Sequence, residues 1–458
     1  MSETSAGLQG GLYPPSAFPP GIPMGGARTA RPFYLTIWYG GTPEERRATP
    51  ANTYVEARGM TTSLEDGTAY EDWTGSAFVN NIGLGRPEIA KALADQALSM
   101  SWLTPAEFAS IRLALTRDLL DVLPRHLRVP FYGLGGSDSN EAAIRAARKV
   151  TGRSKVLTFK GAYHGDTMTI ENVSGTGLTD YGDPRPWAVH TPAPYDFWRK
   201  LGDWDRAYEA SLDAFARTLK RHGPRSFACV ILEPVNMTMG AVPLSRDLSR
   251  GIQELCERHG IKLVADEVIT GFGRTGRWFG SETVGLRPDA MVFAKGFTGG
   301  YAPLGAVVFE REWGERLRRT GFPHGLTFGA HPLGCVAAQE TIRVLRREGL
   351  VDRARRMGAY LRERLEGIRD EHPDDVRDVR GHGLFLALEV AGKGRRVKGG
   401  LHPAWPRVER VWEGLKADGL RVTTNSDGSS LLVCPPFTVT EEQVDRLVSR
   451  LDARLAAP

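Results

Sequence analysis

Residues 262–276 read Lys262-Leu263-Val264-Ala265-Asp266-Glu267-Val268-Ile269-Thr270-Gly271-Phe272-Gly273-Arg274-Thr275-Gly276, and residues 288–300 read Pro288-Asp289-Ala290-Met291-Val292-Phe293-Ala294-Lys295-Gly296-Phe297-Thr298-Gly299-Gly300. Each contains an apolar run of strand length that ends on a charged group: Asp266-Glu267 after 262–265, and Lys295 after 290–294. An open α/β sheet presents its functional groups at the carboxyl ends of its strands. Taken alone, a strand-terminal Asp is most often a cap or turn residue. Lys295 is harder to set aside, because an ammonium straight after a buried strand is expensive to desolvate unless chemistry uses it.

Outward from this stretch, residues 88–349 alternate helical periodicity with short β-rich runs, the pattern of an α/β domain built on a mainly parallel mixed sheet. The strands expected are 129–132, 155–159, 227–232, 262–265, 290–294 and 305–309, with helices at 107–123, 140–150, 204–221 and 248–259. Residues 350–458 read as a smaller α+β domain, which the segment 31–87 joins; within that segment Asp66-Gly67 signals a hairpin. Residues 1–30, rich in Gly, Pro, Ser and Ala, read as a flexible arm, either plain disorder or a cover for a site or partner subunit.

A third element is Gly133-Leu134-Gly135-Gly136-Ser137-Asp138-Ser139, which follows a strand and opens a helix near Asn140. Backbone N–H groups at a helix start, with glycines permitting close approach, make a phosphate cradle. The glycine spacing is neither GxGxxG nor GxxxxGK[ST], so hydride transfer and ATP hydrolysis lack support. A phosphate cradle, a strand-end carboxylate and a strand-end lysine are together what pyridoxal 5′-phosphate (PLP) asks of a protein: a phosphate anchor, an acid for the pyridine nitrogen and an amine for the aldehyde.

The two opening stretches, continued through Tyr301-Ala302-Pro303-Leu304-Gly305-Ala306, resemble the signature of class III (ω-type) aminotransferases, PLP-dependent enzymes of fold type I. So do Gly83-Leu84-Gly85-Arg86-Pro87, Gly136-Ser137-Asp138-Ser139-Asn140-Glu141-Ala142, Tyr163-His164-Gly165, Glu233-Pro234-Val235 and His324-Gly325-Leu326-Thr327-Phe328, with a weaker match at Cys434-Pro435-Pro436. The resemblance implies that Lys295 is the Schiff-base lysine and a general base, and that Asp266 partners the pyridine nitrogen. It further implies that Val268 and Tyr163 cover the two ring faces, that Gly136 and Ser137 hold the phosphate, and that Thr327 reaches the phosphate of a neighbouring subunit in a homodimer. Glu233 is a candidate for orienting the ring-hydroxyl side or a substrate group, and His164 is a structural hydrogen-bonder or a catalytic group.

The implied reaction is transfer of an amino group (EC 2.6.1.-) from an amine or amino acid to a keto acid or aldehyde. A mutase, racemase or decarboxylase on the same scaffold is the alternative, since the cleaved bond is chosen by its orientation. Family members that clamp a carboxylate carry an arginine after a C-terminal Gly-Leu; in Gly419-Leu420-Arg421-Val422-Thr423 that position is Thr423, and Arg421 is either a substitute on the same strand face or a surface residue. Phe78 is a candidate wall of the substrate pocket or a core residue.

Composition narrows the partners. The net charge of +5 is spread along the chain, and its one basic cluster, 393–398, sits among glycines and reads as a solvated loop, so no nucleic-acid partner is expected. No apolar run approaches membrane-helix length, and no membrane partner is expected. Cys229, Cys256, Cys335 and Cys434 are too scattered for a disulfide framework or a metal site, which makes a reducing cytoplasm the expected compartment.

Overall fold

The structure is a computed structural model that describes residues 48–175, 185–392 and 401–457. The expected arm, 1–30, and the basic cluster, 393–398, lie outside the described residues. Residues 48–56 and 63–69 cluster as a small unit of their own. Inside it Asp66-Gly67 makes the expected turn: Asp66 Oδ1 accepts the Thr68 N–H at 2.9 Å, and Gly67 N–H donates to the Leu64 carbonyl at 3.1 Å.

Residues 57–62 and the chain from Tyr70 onward form the other unit. It is organised around a seven-stranded sheet in the spatial order Leu127–Gly133, Gly305–Glu310, Ala290–Phe293, Lys262–Asp266, Phe227–Leu232, Lys155–Phe159, Ala188–Thr191. Gly305–Glu310 is antiparallel to both its neighbours, and the other neighbouring strands pair in parallel. Both faces are covered, which is why these strands read as continuous apolar runs instead of alternating ones. Ile231, Val264 and Val292 pack with Ala142, Ala143, Ala146 and Ala147 of the helix Gly136–Thr151, while Val230, Leu263, Ala265, Met291 and Phe293 face the larger core on the other side.

A second, antiparallel sheet, in the order Val376–His382, Phe385–Val390, Ser430–Val433, Thr423–Thr424, packs with the helices Leu350–Glu371, Trp405–Ala417 and Glu441–Ala456. The N-terminal part of the chain reaches this region through backbone pairing, Glu71 opposite Leu420 and Asp72 opposite Arg421. Among the described residues no helix is long and apolar enough to cross a membrane.

Three departures from the expected elements have a local physical cause. The helix expected from Asn140 begins at Gly136, because the Asp138 carboxylate accepts the N–H groups of Leu134 (2.8 Å) and Gly135 (2.7 Å) and turns the chain into the helix one turn early. The helix expected over 107–123 is confined to Ser110–Leu120; Arg112 reaches back to the carbonyls of Leu103, Thr104 and Glu107 and holds those residues outside it. The edge strand Ala188–Thr191 and the helix Pro194–Leu201 were not anticipated, since four residues of mixed polarity carry little periodicity.

Candidate active site

Asp266 ends the central strand Lys262–Asp266 and is 4% exposed. Its Oδ2 accepts from Asn140 Nδ2 at 2.8 Å and lies 2.8 Å from His164 Nδ1, and its Oδ1 accepts the Val268 N–H at 3.1 Å. A carboxylate only accepts, so His164 carries its proton on Nδ1, and Nε2 faces the Thr158 hydroxyl at 3.0 Å. Asn140 also donates to the His164 carbonyl at 2.7 Å, closing a buried three-residue network. His164 is thus a buried neighbour of Asp266. Asn140 is a residue sequence reasoning missed as a site member, although it stands inside the glycine-rich motif.

Lys295 follows the neighbouring strand Ala290–Phe293, with Ala294 between, and has a left-handed φ of 46°. Burial pushes its ammonium below the usual lysine range, while the carboxylates of Asp266 and Glu233 pull it back up. Glu233 accepts the Tyr163 N–H at 3.0 Å and Asn236 Nδ2 at 2.7 Å, and burial pushes its carboxyl up to about 7. A raised carboxyl pKa means that the folded state binds more protons than the unfolded one between about 4.5 and about 7. Stability contributed by this group is thus present at low pH and lost as pH rises through that window, and Glu233→Gln should flatten that part of a urea-melt pH profile.

Glu267, one residue beyond Asp266, has a different task. Its two oxygens accept from Thr270 Oγ1 (2.5 Å), Gly280 N–H (2.8 Å), Ser281 N–H (2.7 Å) and Ser281 Oγ (2.5 Å), which ties the segment after Asp266 to the helix Gly280–Val284. Glu267→Ala should lower folding stability by about 2–4 kcal/mol in chemical denaturation, because four buried donors lose their acceptor.

At the start of the helix Gly136–Thr151 the N–H groups of the first turn have no intrahelical acceptor. A side-chain carbon on Gly136 would stand 3.1 Å from Val268 Cγ2, so the helix start lies directly against the residue two beyond Asp266. Gly165 has φ 127° and lies so close to Ser137 that a side chain there would overlap the hydroxyl; the neighbouring Asp166 N–H donates to Ser137 Oγ at 3.2 Å.

Phe78 is 7% exposed, packs 5.6 Å from Phe385 between ring centroids, and has its own centroid 5.4 Å from Lys295 Nζ. It is thus a core residue that also faces the lysine. It ends the turn Gly75–Phe78, in which φ is left-handed at all four residues: 59° at Gly75, 49° at Ser76, 60° at Ala77 and 65° at Phe78. Each non-glycine residue so placed costs roughly 1–2 kcal/mol. Gly75 is also required by space, since a side-chain carbon there would stand 2.5 Å from the Cys434 carbonyl oxygen.

The turn is followed by Asn80 and Asn81, which Arg274 binds. Arg274 is fully buried; its guanidinium donates to the carbonyls of Leu384 (3.0 Å), Pro435 (2.5 Å) and Asn80 (3.1 Å) and to Asn81 Oδ1 (2.7 Å), and it lies over the Phe437 ring. Two expected site residues lie in exposed places: Thr327, and Arg421, whose carbonyl accepts the Trp73 N–H at 2.9 Å.

Residues 43–455 match the family Aminotransferase class-III. The diaminobutyrate–2-oxoglutarate transaminase of Halomonas elongata is 34% identical over 426 residues, covering 88% of this chain and 90% of that protein. The isoleucine 2-epimerase of Lentilactobacillus buchneri is 30% identical over 411 residues, covering 88% and 89%. Among solved structures, a PLP-bound amine transaminase from an uncultivated Pseudomonas species superposes with a TM-score of 0.85 at 27% identity, covering 94% of this chain and 99% of that one. The fold and the site define an α/β enzyme of the PLP-dependent fold type I, of the aminotransferase kind. The chain belongs to the class-III aminotransferase family.

Proposed function

We propose that the protein is an ω-type transaminase that holds PLP on Lys295 and moves an amino group from an amine or amino-acid donor to a keto-acid or aldehyde acceptor. The observation that carries this reading is Asp266, fixed in a buried network by Asn140 and His164 on the strand beside the one that leads to Lys295. The residues present fit the cofactor. Gly136 lets the helix start approach Val268 closely, and the first-turn N–H groups there, without intrahelical acceptors, suit a phosphate, while Asp266 suits the ring nitrogen. Bound PLP supplies an aldehyde that captures the amine and a cationic ring that draws electrons from the Cα–H bond.

The roles of the chain's own residues follow. Asp266, held by three donors, keeps a protonated ring nitrogen in place. Lys295, its amine already biased toward the neutral form by burial, would take the proton from the substrate Cα and deliver it to the carbon on the far side of the substrate nitrogen, the former aldehyde carbon. Val268 and Tyr163 cover the ring faces, Gly136 and Ser137 bind phosphate, Glu233 orients the hydroxyl side of the ring, and Phe78 walls the substrate. Arg421 is exposed, which supports its reading as a surface residue and leaves Thr423, without a charge for a carboxylate, at the clamp position.

We also propose a cytoplasmic homodimer in which Thr327 reaches the partner's phosphate, with domains divided at 87/88 and 349/350. The exposed large apolar side chains of Leu98 and Phe108, both 88% accessible, and of Trp102, Leu113 and Phe328 support burial against a second copy. Phe108→Asp combined with Leu98→Asp should convert a dimer to a monomer in sedimentation, with loss of bound cofactor.

The function is tested by incubating holoenzyme with a panel of amines and amino acids in the absence of acceptor. One equivalent of carbonyl product with conversion of the cofactor to pyridoxamine phosphate supports the transaminase. Inversion of an amino acid without carbonyl product would replace this reading by the racemase alternative.

A further inference from the structure

The left-handed turn Gly75–Phe78 is anchored on both sides. Upstream, Trp73 donates its N–H to the Arg421 carbonyl at 2.9 Å and accepts from the Cys434 N–H at 2.7 Å; downstream, the Asn81 carbonyl accepts the Phe437 N–H at 2.9 Å. Between these anchors one carboxylate organises the chain. Asp72, 1% exposed, accepts the Thr74 N–H (2.9 Å) and hydroxyl (2.5 Å) on Oδ1 and the Ser76 N–H (2.8 Å) and hydroxyl (2.7 Å) on Oδ2. Four donors satisfy a buried charge and fix the first half of the turn. The second half is closed by the Phe78 N–H donating to the Thr74 carbonyl at 3.0 Å.

Consecutive non-glycine residues in the left-handed region persist only where surrounding structure over-determines them, and they concentrate where function needs the geometry. Ala77 is exposed, so packing does not select its conformation. Reversing φ at Ser76–Phe78 mirrors the turn and sends the Phe78 Cα–Cβ bond to the opposite side, away from its place 5.4 Å from Lys295 Nζ.

We infer that Asp72 is a positioning residue for the substrate pocket: it holds Gly75–Phe78 in the left-handed turn that fixes the Phe78 ring in front of Lys295. This rests on the reading of Phe78 as the pocket wall. A ring so fixed limits the size of the donor that reaches the lysine amine, and it shields that amine from bulk reagents in the apo-protein.

The test uses Phe78→Ala, Asp72→Asn and their combination, with two readouts. In holoenzyme, the ratio of kcat/KM for a bulky aromatic amine to that for a small aliphatic one is measured. In apo-protein, the rate of Lys295 acylation by an amine-reactive reagent is followed by peptide mass spectrometry. Both single variants should shift the donor ratio in the same direction, on the order of tenfold, and speed acylation severalfold. The combination should go no further than Phe78→Ala alone. Ala77→Gly, which adopts the left-handed conformation without strain, should raise the melting temperature, leave acylation at the native rate, and partly restore Asp72→Asn.

Native behaviour of folded Asp72→Asn in both readouts overturns the proposal, as does additive loss in the combination. No effect of Phe78→Ala removes the pocket-wall reading itself. Should Asp72→Asn fail to fold, Ser76→Ala, which deletes one of the four donors, should move both readouts in the same direction by a smaller amount, and its native behaviour overturns the proposal.

Discussion

Lys295→Ala should abolish amino transfer, lowering kcat by at least roughly 10³-fold, while PLP is retained weakly and without a covalent bond to the protein. Two losses combine: the amine that holds the aldehyde, and the base that moves the Cα proton. An external primary amine restores part of the second and none of the first, so partial rescue of turnover by methylamine, together with failure of borohydride to fix the cofactor to the chain, separates them. The apo-protein carries an independent signature. Burial lowers the Lys295 pKa, so between that lowered value and 10.5 the folded state binds fewer protons than the unfolded one. Stability contributed by this group therefore rises with pH across the window and is smallest below it. Lys295→Met, which keeps the volume and removes the charge, should be more stable than the native apo-protein at pH 7 and lose the upward slope toward pH 10 in urea melts.

Asp266→Asn should lower kcat by on the order of 10²–10³-fold with a smaller change in donor KM. The negative charge that holds the ring nitrogen protonated is removed, and an amide inserts donors where Asn140 Nδ2 and His164 Nδ1 already donate. Misplaced donors in this buried network cost about 1–3 kcal/mol, visible as a lower melting temperature of the apo-protein. Asp266 is also the leading charge that raises the Lys295 pKa against burial, so its neutralisation should move the Lys295 acylation midpoint to lower pH. A midpoint that stays in place would mean that the two groups are not electrostatically linked. His164→Asn, which keeps a donor near Asp266 and leaves its charge intact, should show the loss of stability without the change in midpoint.

The sheet was legible because both its faces are buried, and buried strands declare themselves as apolar runs: 155–159 and 227–232 were read to the residue. The site was legible for the same reason, since Asp266 and Lys295 stand where such runs stop. What escaped were contacts closed over long sequence distances. Nothing local in Asn140 says that its amide meets a carboxylate 126 residues away. The left-handed turn escaped because Ser76, Ala77 and Phe78 carry none of the residue preferences for positive φ. The early start of the helix at Gly136 depended on Asp138 capping backward, a geometry the motif permits but does not announce.

Arg274 has a consequence for how the chain reaches its native state. Its guanidinium joins carbonyls at Asn80, Leu384 and Pro435, separated from it by 194, 110 and 161 residues. Contacts of such sequence separation form late, because loop closure must precede any reward. During synthesis the sheet and Lys295 emerge before Pro435, so the contacts that Cys434, Pro435 and Phe437 make with Trp73, Arg274 and Asn81 are added to the loop carrying Asn80 and Phe78 after its earlier anchors at Asp72 and Arg274. The wall at Phe78 thus reaches its full set of contacts after the strands that carry Asp266 and Lys295, and a chain truncated before Cys434 would hold the chemical groups of the site with the wall held only from one side.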